Sequence, residues 1–272
     1  MSDAAVYRAF SLNRVAAMVL RYWYLLRYSW PRIVDLIYWP MVQMLMWGFL
    51  ALYLTDQTGF LARAGGVFIG AVLLWDILFR GQIGFSVSFL EEMWSRNLGN
   101  LMMTPLRPAE LVAALMTMSV VRLMIGLIPV TFMAIVFFGF NFWSLGFATA
   151  AFFANLIITS WSIGLVASGM VLKNGLGAES LAWSMTFLLL PLCCVYYPVA
   201  VLPEWLQWIA LALPPTHVFE GLRALILESR FDGGSMITAL GLNILYFTAA
   251  STVFALLLRS ARRTGALMQT GE

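Results

Sequence analysis

Six long apolar runs dominate the chain: Ile33 to Leu54, Gly66 to Leu90, Leu111 to Phe138, Phe142 to Leu172, Leu181 to Ala200 and Met236 to Leu258. Each reaches the ~20 residues that an α-helix needs to cross a hydrocarbon layer of ~30 Å. A backbone in lipid must satisfy its own hydrogen bonds, and a helix does so internally. The runs fill the 272 residues so fully that no stretch is left for a separate soluble domain. Composition agrees, with 62% hydrophobic and 11% charged residues against about 45–50% and about 25% in soluble domains. The expected fold class is an all-α integral membrane protein with six transmembrane helices, and a soluble enzyme is excluded.

The basic residues set the orientation. With the N-terminus in the cytoplasm, Arg8, Arg14, Arg21, Arg27, Arg32, Arg96, Arg107, Lys173, Arg259, Arg262 and Arg263 fall on the inner side, and only Arg63, Arg223 and Arg230 on the outer. This bias predicts a multi-pass inner (plasma) membrane protein with both termini cytoplasmic. Arg14 and Arg21 also interrupt any uninterrupted apolar core that a cleavable signal would require. The organisation read from the chain is an N-terminal segment 1–32, a six-span domain 33–258 and a cytoplasmic tail 259–272.

Three segments outside the spans have amphipathic patterning. Over Ser11 to Tyr28, Arg14 and Arg21 share one helical face, with Val15, Val19, Tyr22, Trp23 and Leu26 largely on the other, and Pro31 ends the segment. This pattern predicts a helix lying on the membrane surface. The inner connection 90–106 mixes Glu91, Glu92 and Arg96 with Trp94, Leu98, Leu101 and Met102 before Pro105, so it reads as a short amphipathic helix and a candidate docking surface. The outer segment 201–233 holds Pro203, Trp205, Trp208, Pro214 and Pro215. Its stretches are too short to span, and its aromatics suit an interface, so short helices dipping into the outer leaflet are expected.

Ionisable groups deep in lipid are costly and mark sites by default. Asp76, Arg80 and Arg122 are the three here, with Arg80 one turn from Asp76 on the same face. Asp76 and Arg122 have matching estimated depths, so the two are expected to interact. A structural ion pair, a substrate-facing charge and a side chain snorkelling to water are the three readings of the group. Ser160, Gly164 and Ser168 form a small-residue stripe suited to close helix packing. His217 stands alone as an interfacial side chain, and Cys193 and Cys194 read as apolar packing. The single lysine, Lys173, is followed by Asn174, so the phosphate-binding loop ending in Gly-Lys-Ser/Thr cannot be written. No metal, cofactor or nucleic acid is expected on this chain.

The order of these segments resembles the permease subunits of type II ABC exporters. Glu91, Glu92, Arg96, Gly99, Leu101, Thr104 and Pro105 are similar to that family's coupling segment. Pro198, Leu202, Pro203, Trp205, Pro214, Glu220, Gly221 and Arg223 are similar to its external signature. Asn100 and Pro214-Pro215 depart from the pattern, which more often has an acidic residue and Asn-Pro there. The resemblance implies a homodimer powered by two separate ATPase subunits that hold ATP and Mg, with substrate leaving through the dimer interface. Glu91, Glu92, Trp94, Arg96, Leu98, Gly99, Leu101 and Pro105 would then couple to the ATPase. Tyr196, Tyr197, Trp205, Trp208, Glu220 and Arg223 would form an external gate, with spans one and five along the path. The implied substrate is a hydrophobic or amphipathic molecule, drug-like or lipid-like, or alternatively a lipid-linked polysaccharide. A stand-alone secondary transporter would call for repeated, broken spans, and an intramembrane enzyme for clustered acid–base partners; neither pattern is visible.

Overall fold

The computed structural model describes residues 10–58 and 62–264, and every regular element there is helical. Ten α-helices follow in chain order among the described residues: α1 (Leu12–Arg27), α2 (Trp30–Thr58), α3 (Ala62–Trp94), α4 (Leu98–Met103), α5 (Pro108–Phe138), α6 (Phe147–Asn174), α7 (Glu179–Leu189), α8 (Glu204–Leu211), α9 (Pro214–Glu228) and α10 (Gly233–Thr264). The start of the predicted N-terminal segment and the last residues of the predicted tail lie outside the described residues. Five of the helices, α2, α3, α5, α6 and α10, are long and apolar enough to cross a membrane. The last of these runs past the predicted limit of 258, so the first part of the predicted tail continues the helix.

The fifth predicted span differs from expectation. Helix α7 has 11 residues, about 16 Å at ~1.5 Å per residue and half of a crossing. The chain then turns through 190–197 before a single 3-10 turn at Val199–Val201. Pro191 explains the break, because it has no N–H to offer the carbonyl of Phe187 and its ring crowds that carbonyl. Cys194, with φ at 52°, bends the chain further, and the Tyr197 hydroxyl donates to the Pro191 carbonyl.

Helix α3 is the centre of the bundle, packed against α2, α5, α6, α7 and α9, while α10 lies on α6 and α9. The small-residue stripe of α6 faces α3 as its spacing predicts. Ser160 Oγ donates to the Leu78 carbonyl at 2.8 Å, and a Cβ added at Gly164 would come within 2.8 Å of the Phe85 ring. Helix α2 approaches α5 just as closely. Pro40 deprives the Leu36 carbonyl of its helical donor, and that carbonyl lies against Gly126, where a Cβ would stand only 2.6 Å away. Between α6 and α10, Asn243 accepts from Thr159 at 2.7 Å and donates to the Asn155 carbonyl at 2.9 Å, fixing the register of two otherwise apolar surfaces. Two large apolar cores result among the described residues, beside a smaller cluster of Leu90, Ala167, Val171, Ala178 and Ala182. One fills the half of the bundle around α9 and the turn at 193–195, and the other joins α1 and α4 to the ends of α3, α5 and α10.

Candidate functional site

Three glutamates organise the arginine-rich end of the bundle, each buried and each held by arginine. Glu110, in the first turn of α5, accepts from its own helix start at Arg107 N (2.9 Å), from Ser11 N (2.8 Å) and from the Arg14 guanidinium at 2.8 and 2.6 Å. Glu92 accepts from Arg21 and from Asn97 Nδ2 (2.8 Å). Glu91 accepts from Arg32 at 2.9 Å and from Arg122 at 2.8 and 2.9 Å. Burying a carboxylate requires such partners. Arg14 and Arg21 of α1 therefore turn toward the bundle, together with Val15, Met18, Tyr22 and Leu26, while Leu12, Leu20, Trp23, Tyr24, Leu25 and Arg27 are exposed. This corrects the predicted division of faces: the arginines flank the buried face rather than oppose it, and Trp23 is on the outer side.

The segment after α3 divides accordingly. Leu98 and Leu101 insert into the core beside Leu111 and Leu115, with Leu98 only 2% exposed. Trp94 is exposed and donates through Nε1 to Glu179 at 3.0 Å, tying the end of α3 to the start of α7. The outward-facing residues are Trp94, Ser95, Arg96, Asn100, Met103, Thr104 and Pro105, with Met103 79% exposed. Gly99 is half-buried between the two sets. Of the residues read as a coupling set, Glu91, Glu92, Leu98 and Leu101 thus build the element, while Trp94, Arg96 and Pro105 are on its surface.

The deep charges pair differently from the expected arrangement. Arg80 Nε donates to Asp76 at 2.6 Å within α3, whereas Arg122 reaches Glu91. Side chains lean toward the N-terminus of their own helix. Because α3 and α5 run oppositely, Arg122 leans toward the arginine-rich end and Glu91 leans to meet it. Asp76 and Arg122 are not a pair. One Asp76 oxygen and Arg122 Nε have no hydrogen-bond partner among the described residues.

Beside these charges lies a cavity of about 700 Å³ between α2, α3, α5 and α7. Its polar wall contains Arg32, Arg80, Glu91 and Arg122, its rim Asp35 and Gln43, and its apolar wall Trp39, Phe79, Trp183 and Phe187. Trp39, Trp183 and Phe187 are also exposed on the outer surface of α2 and α7. Helix α7 is held against α3 by an amide that sequence reasoning missed. Gln82 accepts from Thr186 Oγ1 at 2.9 Å and donates to the Ala182 carbonyl at 2.8 Å. A lone amide in an apolar run was the available signal.

At the opposite end, Glu220 and Arg223 on α9 hold the turn that follows α7. Arg223 donates to the carbonyls of Cys194 and Val195 and to Glu220, and Glu220 accepts from Val199 N at 2.8 Å. Tyr196 stacks on Trp47 of α2 and Phe68 of α3. Trp205 and Trp208 stand exposed on α8, the latter 77%. His217 is fixed on the Leu211 carbonyl at 2.8 Å. Cys193 and Cys194 are fully buried, so thiol reagents are expected to leave both unlabelled in the folded protein. Arg223→Ala removes the donors that hold the turn and is expected to expose Cys194 to maleimide; unchanged protection in that variant would show that Arg223 does not restrain the turn.

A family model described as ABC-2 type transporter matches residues 17–227. The match runs from within α1 to the end of α9 and includes the three buried glutamates, the cavity and the turn held by Arg223, while Ser11 and Arg14 precede it. A comparison with curated proteins returned no match. The chain belongs to the ABC-2 type transporter family: it is a multi-pass membrane permease subunit of an ABC transporter, the component that associates with separate ATPase subunits.

Proposed function

We propose that this permease exports a hydrophobic or amphipathic molecule, drug-like or lipid-like, along a path between two copies of the chain in the inner membrane, with both termini cytoplasmic. Two ATPase subunits, which bind ATP and Mg, dock on the outward-facing residues between Trp94 and Pro105. The observation that carries this reading is the cavity itself, whose wall is charged on one side and aromatic on the other and which borders the exposed surfaces of α2 and α7. Such a lining suits a molecule with a polar head and an apolar body. The exposed Trp205 and Trp208 favour a second reading, a lipid-linked polysaccharide, since aromatic faces suit sugars.

Docking is tested by co-purification of the ATPase with the double variant Arg96→Glu, Met103→Asp. Both side chains are exposed, so the permease is expected to fold and insert while ATPase recovery falls about tenfold. Full recovery of the ATPase with this variant would remove the docking role from the segment.

A further inference from the structure

We propose that the cavity between α2, α3, α5 and α7 binds the anionic head of an amphiphile, and that this head replaces Glu91 on Arg122. The proposal deepens the exporter reading and rests on it for the direction in which the bound molecule then moves and for the docking face to which occupancy is transmitted.

The unused hydrogen-bonding capacity of the cavity wall is mostly on donors. Among the described residues Arg80 uses only Nε, on Asp76, and its terminal nitrogens have no protein partner. Arg122, 5% exposed, engages Glu91 through one terminal nitrogen and leaves Nε unpartnered. Guanidinium groups donate and never accept, so what these side chains lack is an acceptor. Glu91 has its carboxylate engaged by Arg32 and Arg122. Asp35, at the exposed rim, holds the Trp39 indole at 3.0 Å. A planar fork of donors next to a low-dielectric wall is the arrangement that recognises phosphate or carboxylate.

The rest of the ligand follows from the opposite wall. Phe79 and Phe187 pack with ring centroids 4.8 Å apart, and Trp39 and Trp183 continue that surface outward, where they are exposed. A free inorganic anion would leave this surface without a partner, whereas an alkyl chain would cover it. A volume of about 700 Å³ is ample for a head and the first part of such a chain.

Glu91 gives the site its second property. It lies three residues before the end of α3, and the next exposed side chain, Trp94, is bonded to Glu179 at the start of α7. An anion seated on Arg80 and Arg122 competes with the Glu91 carboxylate for the same guanidinium. Release of Glu91 loosens the end of α3 where the segment 95–105 begins, so occupancy of the cavity is transmitted to the docking face.

The test uses the full chain in nanodiscs of phosphatidylcholine, with dodecyl phosphate as probe and dodecyltrimethylammonium and inorganic phosphate as comparisons. Saturable binding of dodecyl phosphate above that of empty discs is expected, weakened about tenfold to a hundredfold by Arg80→Gln and largely kept by Arg80→Lys. Arg80 is chosen because Arg122→Gln would itself release Glu91, and Arg80→Gln is read in an Asp76→Asn background because alone it leaves that buried carboxylate without its cation. Bound dodecyl phosphate is further expected to raise amide hydrogen exchange over residues 92–97. Equal binding of the ammonium amphiphile, or no effect of Arg80→Gln, overturns the anionic site. Displacement by inorganic phosphate at equal concentration overturns the amphiphile. Unchanged exchange over 92–97 overturns the replacement of Glu91. ATPase co-purification needs none of these probes, so failure here leaves the permease reading standing.

Discussion

Glu91→Gln is expected to destabilise the protein by about 3–5 kcal/mol, the usual cost of removing one partner from a buried ion pair. The variant leaves Arg122 charged, buried and without a counter-ion, and takes from Arg32 its carboxylate as well. Arg122→Gln alone is expected to cost a comparable amount. The double variant recovers part of the loss, because a neutral pair no longer strands a charge. Unfolding of the purified protein by graded denaturant in mixed micelles measures the cycle. Asp76→Asn combined with Arg122→Gln is expected to be additive, since the two share no partner. A coupling between positions 76 and 122 as large as that between 91 and 122 would contradict the pairing described above.

Glu110→Ala is expected to have the next largest effect, but locally. That one carboxylate serves the start of α5, the Ser11 amide that begins α1 and both ends of the Arg14 fork. Without it, α1 loses the anchor at its first turn while Arg21 and Glu92 still hold its middle. The expected result is a rise of about tenfold in tryptic cleavage within α1, reflecting local opening, with little change in global unfolding. Cleavage that stays at the original rate would mean that the apolar residues Val15, Met18, Tyr22 and Leu26 dock the helix by themselves.

The helical class and most of the long helices were legible because lipid imposes one simple rule, an apolar run of sufficient length. The same rule misread residues 190–200, where composition stays apolar but Pro191 and the left-handed Cys194 end α7 early. Hydropathy reports solvent preference and is blind to that backbone break. The amphipathic segments were legible as elements and less so in their facing. The pattern sets Arg14 and Arg21 opposite the apolar face, because a sequence gives no sign that Glu110 and Glu92, many residues away, are buried beneath them. For the same reason Leu98 and Leu101 looked available to a partner although α1 and α5 already cover them. Asp76, Arg80 and Arg122 were found by depth alone. Their partners depended on the antiparallel stagger of α3 and α5, which spacing along one helix does not encode. The pairing of Asp76 with Arg80, at one-turn spacing, was the part within reach.

The proposed export requires an ATPase subunit resting against the outward face of the segment between Trp94 and Pro105. A photo-crosslinking residue at Met103, introduced into the full chain and activated in intact cells, tests this most directly, with a second copy of the experiment at Trp208 on the opposite end. Both positions are exposed, so neither substitution disturbs the core. A covalent adduct is expected between Met103 and a subunit carrying an ATP-binding phosphate loop, and none from Trp208. No such adduct from Met103, or an equal yield from Trp208, would contradict this docking.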